Sequence, residues 1–150
     1  MPAKPIPEGY HTATPYLVVK GADKTIAFMK QAFGATQSFE PMMSPDGKVM
    51  HADLTIGDSH VMLSEATDQH PAMPSMIHLY VPNVDAVYQR AVAAGGKSFL
   101  EPVDQFYGDR AAGVHDQSGC AWYIATHIED VSMAELKKRA AEMHKKGKAA

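Results

Sequence analysis

At 150 residues, 45% of them hydrophobic, the chain is long enough to bury one core and too short for two ordinary domains, so a single domain over 1–150 is expected. The formal charge of −3 hides an asymmetry: residues 135–150 carry six Lys/Arg against Glu135 and Glu142, a net +4, which leaves −7 on residues 1–134. An acidic body repels phosphate and argues against nucleic acid as a partner, and no apolar run approaches the ~20 residues that cross a bilayer.

The Pro-rich start lacks the apolar region of a signal peptide, and the lone Cys120 has no partner for an internal disulfide or a Cys-x-x-Cys site. A cytoplasmic protein is therefore expected, with no membrane partner. Along the chain, an apolar run from Tyr16 to Val19 reads as a strand. Ile26, Met29 and Phe33 then mark one face of a helix, with Asp23 near its start and Gly34 at its stop. Two further stretches, VMHADLTI and HVMLSE, read as a hairpin bounded by Ser44-Pro45-Asp46-Gly47 and closed by Gly57-Asp58-Ser59.

The same order then recurs. YLVVKGADKTIAFMKQAFGA, from Tyr16, aligns without a gap on HLYVPNVDAVYQRAVAAGGK, from His78, at an offset of 62 residues. Val19 falls on Val81, Asp23 on Asp85 and Gly34 on Gly96, so strand end, helix start and helix stop repeat together. The second helix is marked by Val84, Val87, Tyr88, Ala91 and Val92, with Asn83 as N-cap and Gly95-Gly96 at its end. GDRAAGVHD and CAWYIATH occupy the places of the first hairpin. The expected fold is α+β: two tandem β-α-β-β-β modules, about 10–66 and 74–128, each forming part of a cupped mixed sheet. A C-terminal helix over about 132–146 completes it. Ser132-Met133-Ala134-Glu135 has the form of a capping box for that helix, and Leu136, Ala140 and Met143 recur on one face.

This duplicated pattern, with the segments TPYLVVKGADKTIAFM, HADLTIGDSHVMLSE and FYGDRAAGVHDQSGCAWYIATHIEDV, resembles the glyoxalase, bleomycin-resistance and dioxygenase (vicinal oxygen chelate) superfamily over nearly the whole chain. The resemblance implies half-cups of strands backed by helices, a small-molecule site inside the cup, and homodimers. In metal-dependent members it implies one ligand on the first strand and one on the last strand of each module. Those positions fall on Thr14 and Met76, and on Met62 (or Val61) and Tyr123. None offers the imidazole or carboxylate that a hard divalent ion takes, so the resemblance is to a metal-poor branch, and no metal and no cofactor are expected.

Strand alternation places Thr14, Tyr16 and Val18 on the cup face, together with His60, Met62 and Ser64, with Met76, His78 and Tyr80, and with Ala121, Tyr123 and Ala125. In the stretch VMHADLTI, His51, Asp53 and Thr55 face the cup, opposite Ala52, Leu54 and Ile56. A cup walled by aromatic, sulfur and imidazole groups suits an aromatic or planar ligand, with Tyr16, His51, Asp53, His60, Met62, His78, Tyr80 and Tyr123 as the candidate binding residues. The leading expectation is a metal-independent sequestering protein of the bleomycin-resistance type. The alternative is an enzyme. It is either a lyase or isomerase using His51 oriented by Asp53 as base and Tyr80 or Tyr123 as acid, or a glyoxalase or dioxygenase with a displaced metal. Arg110 is expected to pair with a carboxylate at the FYGDR turn, Trp122 to pack beneath the second helix, and Met42, Met43 and Met50 to form an adaptable surface.

Overall fold

A computed structural model describes residues 2–149. The first module runs β1 (Tyr16–Val19), α1 (Ala22–Phe33), β2 (Thr36–Gln37), β3 (Met42–Met43), β4 (Val49–Ile56) and β5 (Ser59–Glu65). Its sheet has the order β1-β5-β4-β2, with β3 also on β4. The β1/β5 pair is parallel, while β4 is antiparallel to β5, β2 and β3. The second module, β6 (Met76–Tyr80), α2 (Val84–Ala93), β7 (Lys97–Asp104), β8 (Asp109–His115) and β9 (Ala121–His127), repeats this as β6-β9-β8-β7, with β6 and β9 parallel. The chain closes on α3 (Met133–Ala149).

The 62-residue repeat reappears as register. Tyr16 pairs with Met62, and its counterpart His78 pairs with Tyr123. Both helices begin where the last strand of their own module can cap them. Glu65, at the end of β5, accepts the N–H groups of Gly21 and Ala22 with its carboxylate, and Thr126 on β9 accepts the N–H of Val84 while donating to the Val81 carbonyl. Helix N-termini present such unpaired N–H groups, and a carboxylate there also opposes the positive end of the dipole. Asn83 caps α2 as its sequence position predicts, accepting from Ala86 N–H. At the other end of α2, Gly95 takes φ 99°, while Gly96 is needed for space: a Cβ there would sit 2.7 Å from the Ala91 carbonyl oxygen.

One core spans both modules. Leu17, Val19, Val61 and Leu63 from the first sheet meet Met29 and Phe28 of α1, and Val114, Trp122 and Ile124 from the second meet Val84, Val87 and Ala91 of α2. Helices α1 and α2 pack on each other between the sheets. Trp122 is fully buried in the core that includes Val84, Val87 and Ala91 of α2, as expected beneath that helix, but its aromatic partners come from the first helix. Its ring packs against Phe33 (centroids 4.8 Å apart) and Phe28 (6.4 Å) of α1, and its Nε1 donates to Asp116 Oδ2 at 2.9 Å. The reason is the contact between helices, which carries the aromatic residues of α1 over the neighbouring module's sheet.

Helix α3 starts with half of a capping box. Ser132 Oγ accepts from Glu135 N–H, but the Glu135 carboxylate turns to Arg139 rather than back to the cap. Arg139 holds the helix to the body through Glu129 and the Phe106 carbonyl. Leu136 and Ala140 are half-buried, whereas Met143 is exposed.

Candidate functional site

Each sheet has one face covered by its helix and one that no helix covers, and the candidate residues lie on the helix-free faces. On the first, Tyr16, Met62 and Asp53 form a cross-strand row, with Thr55 paired to His60 beside it. Tyr16 Oη lies 3.1 Å from His51 Nδ1, and the His51 ring stands between the rings of Tyr16 (5.7 Å) and Phe39 (5.8 Å).

Asp53 is fully buried on this same face. It does not orient His51. Side chains two apart on one strand run parallel, about 6.6 Å apart by strand rise, and His51 is held instead by Tyr16. The partner is His60, diagonal across the β4/β5 pair, whose Nδ1 lies 2.7 Å from Asp53 Oδ1. Ser38 Oγ donates to the same oxygen at 2.8 Å, and the Tyr10 hydroxyl donates to Oδ2. Burial pushes the Asp53 carboxyl up, but the hydrogen bonds from Tyr10, His60 and Ser38 outweigh it and hold the group below its ordinary value. The same bond to a carboxylate raises the Tyr10 hydroxyl. Tyr10 also stacks on the His60 imidazole, centroids 3.9 Å apart and planes 16° apart.

The second helix-free face is an aromatic platform. His78 and Tyr123 stack across β6 and β9 (5.5 Å, 24°), Tyr80 stands 4.9 Å from His78, and Phe99 lies 6.1 Å from Tyr123 and 4.6 Å from His115. Phe99 can lie over the sheet only because residue 113 is glycine, since a Cβ at Gly113 would fall 2.3 Å from its ring. At the edge of the platform the buried Asp109 accepts from Tyr80 Oη (2.8 Å) and pairs with His127 Nδ1 (2.8 Å), while His127 Nε2 reaches Asp130 (2.8 Å). Burial raises the Asp109 carboxyl and the bonds from His127 and Tyr80 more than reverse it; with a carboxylate on each nitrogen, His127 is raised.

At the FYGDR turn Arg110 pairs with carboxylates as expected, though not with its neighbour Asp109. Asp109 and Arg110 are neighbours on a strand and point to opposite faces, so they do not pair with one another. Arg110 instead grips Asp85 of α2 with Nε (2.8 Å) and Nη2 (2.9 Å), and reaches Asp104 with Nη1 (2.9 Å). Cys120 is buried, and its thiol is pushed up to about 12 by burial and by Asp116, which leaves it without thiolate character at neutral pH.

The four first-strand and last-strand positions at which the sequence resemblance would place metal ligands hold Thr14, Met76, Met62 and Tyr123, and the alternative Val61 is 2% exposed in the core. Among the described residues no three His, Cys, Asp or Glu side chains converge as a metal-binding group. This donor set does not fit a hard divalent ion.

Of the eight candidate binding residues, Tyr16, His51, Asp53, His60 and Met62 fall on the first helix-free face, and His78, Tyr80 and Tyr123 on the second. A cleft of about 150 Å³ between the modules is lined by both His60 and His78, and one of about 460 Å³ beside it by His78 and Tyr80. Sequence reasoning missed Tyr10, Ser38, Phe39, Phe99, Asp109 and His127. Tyr10 lies before the repeat begins, and Phe99 owes its place to the glycine opposite, which alternation alone does not reveal.

Residues 10–124 match the family model of the glyoxalase/bleomycin resistance protein/dioxygenase superfamily. The chain is 36% identical over 134 residues to the uncharacterized protein Mb0911c of Mycobacterium bovis, covering 82% of this chain and 88% of that one. It is equally identical to the uncharacterized protein Rv0887c of Mycobacterium tuberculosis, covering 78% of it. Its fold is similar to that of TioX from Micromonospora sp. ML1 (TM-score 0.66, 22% identity, 79% of this chain and 99% of that one). It is also similar to protein PA1353 from Pseudomonas aeruginosa (TM-score 0.63, 22% identity, 79% and 99%). With the duplicated modules, the parallel first and last strands and this match over most of its length, the chain belongs to the glyoxalase/bleomycin resistance protein/dioxygenase superfamily.

Proposed function

We propose that this protein binds and sequesters a planar or aromatic small molecule without a metal ion, as a cytoplasmic homodimer in which the helix-free faces of two copies are paired. The observation that carries this reading is the platform of His78, Tyr123, Tyr80 and Phe99, whose rings present faces and edges with no helix over them. Met76 and Tyr80 are 60% and 66% exposed there, and Tyr16 and Phe39, beside His51, are exposed on the open face of the other sheet. Large apolar side chains gathered on two open faces mark surfaces that bury against a ligand or a second subunit. The two sheets of one chain are separated by the packed pair α1/α2, so covering both faces calls for a second copy.

Trp122 is fully buried on the helix side and cannot report directly on these faces. The test is isothermal titration of the untagged protein with a panel of planar aromatic compounds, alongside sedimentation to obtain the mass in solution. Saturable binding that Tyr123→Ala weakens about tenfold, the equivalent of about 1.4 kcal/mol, is the expected result. A monomer that binds none of the panel overturns the reading.

A second reading rests on the Asp53–His60 pair. A buried carboxylate on Nδ1 leaves Nε2 as the basic nitrogen, the arrangement of an oriented general base. Under this reading the enzyme is a lyase or isomerase, with His60 in the role the sequence assigned to His51. Turnover that is lost in His60→Ala and kept in His51→Ala would favour it.

A further inference from the structure

We propose that the site on the first sheet is filled from within by Tyr10, and that its natural ligand carries a phenol-like group that takes the place of this side chain. The inference rests on the small-molecule reading above and narrows the chemistry of the ligand.

Three observations carry it. Tyr10 arrives on a segment that has little else to hold it: Pro2–Gly9 and His11–Ala13 are exposed, and the segment's own contacts are a bond from Tyr10 N–H to the Pro7 carbonyl and an exposed Lys4–Glu8 pair. At Tyr10 alone the chain dips onto the sheet, stacking its ring on His60 and donating its hydroxyl to Asp53. Finally, the two Asp53 oxygens are served differently. Oδ1 is bonded by Ser38 and His60, which belong to the body of the module, whereas Oδ2 has Tyr10 as its one donor among the described residues.

Lifting Tyr10 away therefore exposes two complementary features together, one flat imidazole face and one buried carboxylate oxygen that needs a donor. Opening gives up the stack on His60 and the bond to Oδ2, so a ligand that restores both contacts recovers what the opened state has lost. An aromatic ring bearing a hydroxyl does so in the geometry Tyr10 already displays. Segments with few buried contacts open locally at low cost, which makes the exchange accessible without unfolding the core. An internal plug also lowers the apparent affinity for the ligand by the fraction of molecules in which it is closed.

The test uses p-cresol, the side chain of tyrosine as a free molecule, and toluene, the same ring without a donor. Both are titrated by thermal shift and NMR into wild type, Tyr10→Ala and Tyr10→Phe. The expected result is that p-cresol binds Tyr10→Ala about tenfold or more tightly than wild type, shifting the His60 ring resonances, and that toluene gains less. Tyr10→Phe keeps the ring and loses the bond to Asp53, so it secures a folded comparison and should fall between the two. Equal p-cresol binding by all three proteins, or equal gains for p-cresol and toluene, overturns the proposal. If planar compounds still bind wild type through Tyr123 while p-cresol ignores the Tyr10 variants, the sequestering reading stands and Tyr10 is a fixed structural cap.

Discussion

Asp53 and His60 face each other across neighbouring strands, with 2.7 Å between Oδ1 and Nδ1, and the carboxylate is fully buried. Replacing His60 by Ala removes one of the bonds that offset the desolvation of Asp53. The expected cost is about 2 kcal/mol, the usual worth of a hydrogen bond to a charged group, measured by urea denaturation at neutral pH. Because the Asp53 carboxyl is held below its ordinary value of 3.8, its contribution is present above that pH and is lost as the pH falls through the lowered value. The penalty for His60→Ala should therefore shrink in strong acid. A penalty independent of pH would show that Asp53 is not the group His60 serves.

His127 carries the opposite sign. Its value is raised above 6.5 by Asp109 and Asp130, so its contribution is complete below 6.5 and disappears as the pH climbs through the raised value. Melting temperatures of wild type and His127→Gln should differ most in mildly acidic buffer and converge in alkaline buffer. A gap that widens with pH would contradict the two carboxylate contacts.

Two glycines should separate stability from binding. At Gly113 the three atoms nearest an added Cβ all belong to the ring of the exposed Phe99, which can swing into solvent, so Gly113→Ala should cost about 1 kcal/mol or less while dismantling the aromatic platform. At Gly108, by contrast, the Cβ would lie 2.2 Å from the Glu129 carbonyl oxygen, a backbone atom that cannot yield freely, and φ is +101°. Gly108→Ala should cost about 3 kcal/mol. Calorimetry of the two variants, with ligand titration of the first, checks both.

Elemental analysis of protein dialysed against zinc, iron, nickel and manganese should find metal well below one per chain, because Thr14, Met62, Met76 and Tyr123 replace the usual donors. Metal near one per chain or per dimer would instead bring a displaced metal site, and the enzyme reading with it, to the front.

The duplication was legible without coordinates because strand period, helix period and glycine stops all recur at one offset, and local rules of this kind act through neighbouring residues. For the same reason alternation sorted Tyr16, His51, Asp53, His60 and Met62 onto one face, and His78, Tyr80 and Tyr123 onto the matching face of the other sheet. Which of these touch was decided by tertiary structure. His60 rather than His51 meets Asp53 because the diagonal across two strands is set by register, and Arg110 meets Asp85 because α2 is docked over its own sheet. Trp122 lies against α1 for the same kind of reason, the packing of one module's helix on the next module's strand. Tyr10 stands ahead of the gapless alignment that begins at Tyr16 and in no periodic element, so nothing local marks it; only the folded chain brings it onto a buried carboxylate 43 residues away.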